Sequence, residues 1–147
     1  MFTFDWTIVI LGFALLFSVQ LAIFRRSRLF RLFKANPIQV VRPEAIWFSF
    51  ARFRVGTYEW PYYFTLAIDN EYLHIHFNGV QKILFRPSRA SIPLNHLRLL
   101  PSFPVGSRRV QALDSKSGLT LSVYGSSAKA LGTALSAPNP ALNSDPA

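Results

Sequence analysis

The residues best suited to chemistry in this chain are two histidines, His74 and His76, two apart in a short apolar-rich stretch. Paired imidazoles on one strand face are how some metal sites begin, and a third ligand would have to come from His96, Asp69 or Glu71. No spacing compels that third ligand. The expected reading is therefore the outward polar face of a strand, with no metal and no cofactor. Ser102, Ser107 and the pair Ser126-Ser127 have no G-x-S-x-G elbow around them and no acid–His pair in view. The chain has no cysteine, which excludes thiol catalysis and disulfides. Six acids remain after the first 24 residues, scattered singly, so no carboxylate pair is set up for acid–base work. No catalytic residue is expected, and the chain reads as a non-enzyme.

Basic and aromatic residues offer the alternative, which is contact without bond chemistry. Arg86, Arg108 and Arg109, together with Trp60 and Tyr62 after a turn, are the expected contacts for a partner or an anionic lipid. The formal net charge is +9 over 147 residues. Five of those charges sit in one cluster, and the rest of the chain after it carries eleven basic and six acidic residues. A basic domain beside an anionic leaflet accounts for that surplus without nucleic acid.

These candidates must be positioned by the elements around them, and the first element dominates. Ile8 to Phe24 reads IVILGFALLFSVQLAIF, seventeen residues without a charge. At about 1.5 Å per residue it covers roughly 25 Å of a hydrocarbon core about 30 Å thick, and Phe4 and Trp6 can complete it. Twelve of the seventeen are Leu, Ile, Val or Phe, which favours insertion by roughly 4–7 kcal/mol. A transmembrane anchor is expected, with Ile8, Leu11, Leu15, Leu16 and Phe24 as its anchor residues. Arg25, Arg26, Arg28, Arg31 and Lys34 follow it, whereas the first seven residues hold no Lys or Arg. The positive-inside rule then places the N-terminus outside and the larger part in the cytoplasm.

Residues 1–35 are thus read as the anchor and a basic juxtamembrane helix, with Leu29, Leu32 and Phe33 on one face at the membrane interface. Asn36-Pro37 ends that helix, because the residue before proline avoids the helical region. Residues 36–43 read as a linker, 44–136 as a β domain and 137–147 as a disordered tail. Strands are expected at 45–55, 62–68, 72–77, 82–85, 90–94, 108–113 and 119–124, with turns at Gly56-Thr57, Asp69-Asn70-Glu71 and Asn78-Gly79. Alternation turns Leu73, Ile75 and Phe77 inward and His74 and His76 outward. Residues 126–135 have the Ser cap and Ala/Leu spacing of one closing helix.

The stretches Arg54-Val55-Gly56, D-N-E-Y-L-H-I at 69–75, F-R-P at 85–87 and S-I-P-L-N-H-L at 91–97 occur in an order that resembles small bacterial membrane proteins with a pleckstrin-homology (PH)-like or GRAM-like domain. That pattern has a tryptophan where Leu94 stands and a Gly-Leu where Glu71-Tyr72 stands. The resemblance covers about residues 45–135 and implies a PH-like barrel of about seven strands plus a C-terminal helix, without bringing an activity. The function expected is that of a single-pass inner-membrane module docking a protein partner at the cytoplasmic face. Anionic-lipid headgroup recognition by its basic face is the alternative.

Overall fold

Ser27 decides the architecture of the N-terminal third. In the computed structural model, which describes residues 6–101 and 108–137 apart from the side chains of Pro61 and Tyr62, an apolar helix α1 (Trp6–Arg26) stops at this residue and a second helix α2 (Arg28–Ala35) begins immediately after it. The Ser27 hydroxyl donates to the Phe24 carbonyl (2.6 Å) and accepts from the Phe30 N–H (3.1 Å). One side chain therefore closes one helix and caps the next. No flexible tether separates them.

Seven antiparallel strands follow: β1 (Ile46–Val55), β2 (Tyr58–Ile68), β3 (Tyr72–Phe77), β4 (Arg89–Pro93), β5 (Leu97–Leu99), β6 (Arg109–Asp114) and β7 (Leu119–Tyr124). They pair in the order β4-β3-β2-β1-β7-β6-β5. The two edge strands, β4 and β5, are consecutive in the chain and joined by a single 3₁₀ turn, Leu94–His96, so the sheet curls into a nearly closed barrel. Strand β1 serves both halves, pairing with β2 along its length and with β7 at Phe53 to Val55. Its register shifts on either side of Ala51, and Phe50 adopts a positive φ of 54° there, so the expected long first strand bends at a bulge. Helix α4 (Ser126–Ser136) packs against β5, β6 and β7 and touches β1 and β2, as the Ala/Leu spacing suggested, but the expected Ser cap is absent: Gly125 is the N-cap and no side chain caps the helix.

Inward-facing residues fill the barrel as alternation requires: Phe53, Phe64, Leu66, Leu73, Ile75, Phe77, Leu121 and Val123 are all buried. Two expectations need correction. Residues 82–85 are not a strand. Gln81–Leu84 form a single helical turn, α3, with the Leu84 N–H bonded to the Val80 carbonyl (3.1 Å). The strand partner of β3 is instead β4, starting at Arg89 opposite His76, so residues 82–85 have no ladder to join and Q-K-I-L takes its helical preference. Strand β2 also begins four residues earlier than expected. The Gly56-Thr57 turn reverses the chain at once, and Tyr58 pairs with Val55.

The helix over 28–35 forms with the expected face, but that face is turned into the barrel. Leu29, Leu32 and Phe33 are buried, and the Phe33 ring meets Phe77 (5.5 Å) and Phe64 (6.5 Å). An amphipathic face this apolar finds more contact area against aromatic side chains than along a headgroup layer. Its C-terminal residue Asn36 is buried and holds three elements together. The side-chain amide donates to the Leu32 carbonyl and to Asp114 Oδ2 (both 3.1 Å), while the Asn36 carbonyl accepts from the Ser91 N–H of β4 (3.3 Å). The expected tail over 138–147, together with Ser102 and Ser107, lies outside the described residues.

Candidate functional site

His74 departs from expectation. It does lie on the opposite face of β3 from Leu73 and Ile75, but it is fully buried there. The segment after α2 runs along the free edge of β4, and the Gln39 N–H donates to Ser91 Oγ (2.8 Å). Ser91 stands across the ladder from His74, and its hydroxyl is 2.8 Å from His74 Nδ1. His74 Nε2 is 3.0 Å from Asp69 Oδ2, and Asp69 Oδ1 accepts the N–H groups of Glu71 and Tyr72. One proton arrangement satisfies every atom: Nε2–H donates to the carboxylate, and the Ser91 hydroxyl donates to Nδ1 while accepting from Gln39. Burial alone would raise the Asp69 carboxyl. The hydrogen bonds from His74, Glu71 and Tyr72 outweigh it and hold the carboxyl below its ordinary value.

Serine, histidine and aspartate in that order are the residue types of a nucleophilic relay. Here all three are buried, and the serine oxygen is already engaged by a backbone N–H, so the relay presents no face to a substrate carbonyl. What the line does is mechanical: it ties the segment after α2, strand β4, strand β3 and the β2–β3 turn into one run. Sequence reasoning gave Ser91 no role of its own and read Asp69 as a turn former and, at most, a third metal ligand. The signal lay in the pairing of residue 74 with residue 91, which spacing alone does not reveal.

His76 is half-buried beside Trp47 (rings 5.5 Å apart), and its Nε2 is buried without a hydrogen-bond partner. Burial first, then the charges of Arg89, His74 and Lys82, push its pKa down to about 4. Among the described residues no three His, Asp or Glu side chains converge as metal ligands.

The expected contact residues fall into two neighbourhoods. Arg108 is exposed at the start of β6. Arg109 lies over the Tyr124 ring (5.5 Å to the centroid), which Arg52 also covers (4.8 Å). Arg52 is also ion-paired with Glu59 and holds that carboxyl below its ordinary value. Trp60 stands elsewhere, half-buried on β2 next to α1, with its ring against Phe64 and Phe77. Arg86 is exposed just beyond α3. The side chain of Tyr62 lies outside the described residues.

The anchor residues also divide. Ile8, Leu11, Leu15 and Leu16 are exposed, and α1 is long and apolar enough to cross a membrane, with only 6% of its apolar window buried. Phe24 is 1% exposed. Its ring lies 4.5 Å from Phe85 and 5.7 Å from Phe77, inside the barrel's aromatic cluster. Phe24, counted with the anchor, is thus packed into the barrel. At the Ser27 break between α1 and α2, the last turn of α1 packs onto the barrel through Phe24. The five basic residues bracket this junction: Arg25 and Arg26 end α1, while Arg28, Arg31 and Lys34 occupy the solvent side of α2.

Two grooves lie at opposite ends of the β1–β2 ladder. The first, about 450 Å³, is at the foot of α1, between Ile23, Arg26, Arg28 and Arg31 on one side and Val55, Tyr58 and Trp60 on the other. The second, about 560 Å³, lies where Ile46 and Ile68 pair, beside Ala130, Ala134 and Ala137 of α4 and its end, with Glu44, Asp69 and Lys129 at its border. No family model, curated protein or solved structure matches this chain.

Proposed function

We propose that this chain is a single-pass membrane protein, of bacterial inner-membrane type, whose PH-like or GRAM-like barrel docks a protein partner at the cytoplasmic face. The observation that carries the reading is the contrast along α1. A helix of 21 residues, about 31 Å long, leaves its apolar flank uncovered by the rest of the described chain, yet its last turn is part of the barrel core. Such a flank needs lipid around it. The basic cluster at the junction supports an N-out, C-in orientation.

The second groove supports the docking role. It is apolar along Ile46, Ile68, Ala130 and Ala134 and lies at the far end of the ladder from α1, a position that suits an aqueous-side partner. A groove between a helix and strand ends suits an extended or helical segment bearing one or two apolar anchors. Confinement to a membrane raises the effective concentration of any membrane-bound partner, so weak intrinsic affinity suffices.

The test uses the full chain in native membranes. A photo-crosslinking residue replacing Thr133, which is exposed on α4 beside the groove, should capture one protein partner reproducibly, and capture should persist in moderate salt. The same residue replacing Lys116, on the exposed β6–β7 turn, should capture none. A reporter active only in the cytoplasm, fused after Ala147, should be active. Activity of an export-dependent reporter there would overturn the orientation, and equal capture from both positions would overturn the groove as the docking site.

A further inference from the structure

We propose that the groove at the foot of α1 is a binding site for one anionic phospholipid, its phosphate held by Arg26, Arg28 and Arg31 and one acyl chain laid along α1. The inference rests on α1 being a membrane span, and it goes further by assigning the lipid class and the residues that read it. Three guanidinium groups line a single groove, and no acidic side chain lines it with them. Among the described residues, none of the three has an ion pair or a hydrogen bond from its side chain. Arg42, by contrast, is paired with Glu71 and Glu44, and Arg52 with Glu59. Three like charges gathered without a counter-charge favour an anion between them. Arginine forks match the oxygens of a phosphate better than ammonium groups do.

The turn between β1 and β2 is shaped for this arrangement. Gly56 has a φ of +59°, and a Cβ at this position would stand 2.5 Å from Arg28 Nη1. The Arg28 side chain therefore lies directly across the turn and would have to shift to admit a Cβ, while the positive φ itself favours glycine. This aims a guanidinium from α2 over the β1–β2 turn, on the Val55–Tyr58 side of the groove.

The remaining walls are apolar or aromatic: Ile23, Val55, Tyr58 and Trp60. Tyr58 is 68% exposed, and both it and Trp60 are of the type favoured where hydrocarbon meets headgroups. Ile23 leads back along α1 to Val19 and Leu16, four and seven residues earlier on the same helix face and both exposed. That stripe offers an acyl chain a path from the groove into the bilayer. The charge sits at the end of the span, where a phosphate would be, and the apolar stripe runs in the direction of the tail. A zwitterionic headgroup would bring its own cation among the three arginines, so the site selects for net negative lipid.

The test reads Trp60 directly. The full chain with Trp6→Phe and Trp47→Phe, leaving Trp60 as its single tryptophan, is reconstituted into phosphatidylcholine vesicles. These contain a minor fraction of acyl-brominated phosphatidylglycerol or, in a parallel sample, of acyl-brominated phosphatidylcholine. Quenching of Trp60 by the anionic lipid should be several-fold stronger at equal fraction. Arg26→Gln with Arg31→Gln should bring the two lipids to the same level. Equal quenching by both lipids in the parent, in vesicles from which alkaline carbonate does not strip the chain, would overturn the lipid site and leave the span intact. Release of the chain by carbonate would overturn the span and the site together. The parent comparison stands by itself if the double variant fails to fold.

Discussion

At one end of the β1–β2 ladder, Val55 and Tyr58 close on the foot of α1. At the other, Ile46 and Ile68 open beside α4. The same two strands make both ends, separated by about 30 Å at the usual strand rise. The first end gathers three arginines and no acid around tyrosine and tryptophan. The second has small alanines for its wall, with Glu44 and Asp69 facing Lys129. The difference teaches how a small barrel can carry two unlike surfaces without a second domain. The proximal end is apolar and cationic, as the proposed bilayer contact needs, while the distal end has mixed charge. What fixes each end is also distinct: an aromatic cluster around Phe24 at the first, and α4 packed on the strands at the second.

The largest expected effect is at the proximal end. Phe24→Ala should cost about 3–5 kcal/mol of barrel stability in detergent-solubilised full chain, measured by denaturant unfolding, because it empties a site filled between Phe77 and Phe85. Leu15→Ala, nine residues earlier and exposed, should change it by less than about 0.5 kcal/mol. Equal small effects would mean that the helix foot is not part of the core.

Asn36→Ala should cost about 1–3 kcal/mol, since it removes the donor to buried Asp114. The measurement that checks it is again denaturant unfolding, and a neutral result would detach the α2 end from the barrel. Charge and pH come next. His76 has a folded pKa of about 4, below its unfolded value of about 6.5, so the unfolded chain binds the proton more readily. Its contribution to stability should be complete above pH 6.5 and be lost as pH falls toward 4. His76→Gln should flatten the stability profile across that window, whereas the Asp69 contribution, with its carboxyl lowered, is lost only below about pH 4. The smallest effect is expected at Arg108. Exposed and outside both grooves, Arg108→Glu should leave stability within about 0.5 kcal/mol and quenching of Trp60 by anionic lipid unchanged. A large loss of quenching would move the lipid contact to the β6 face.

Much of this was legible in the sequence. Period-two alternation placed Leu73, Ile75 and Phe77 in the core, and the helical period placed Leu29, Leu32 and Phe33 on one face. Neither period says what a face will meet. The α2 face met aromatic side chains of the barrel, and on the outer face of β3 His74 is buried beside Ser91, which the segment from Asn36 to Gln39 engages at the edge of β4. Phe24 shows the same limit: seventeen uncharged residues read as one uniform span, while in the structure its last turn packs into the barrel. The Ser91–His74–Asp69 line was invisible because cross-strand register, set by long-range pairing, brings its members together.

The central claim is that the apolar helix is built rigidly onto the barrel, with no tether between them. The chain has no cysteine, so two introduced ones give clean labelling sites. Spin labels at Leu16→Cys and Lys116→Cys, both exposed, in full chain reconstituted into lipid nanodiscs should give one narrow distance distribution by double electron–electron resonance. Phe24→Ala in the same background should broaden it. A broad distribution in the parent chain would contradict the account, because the barrel would then be swinging on its anchor.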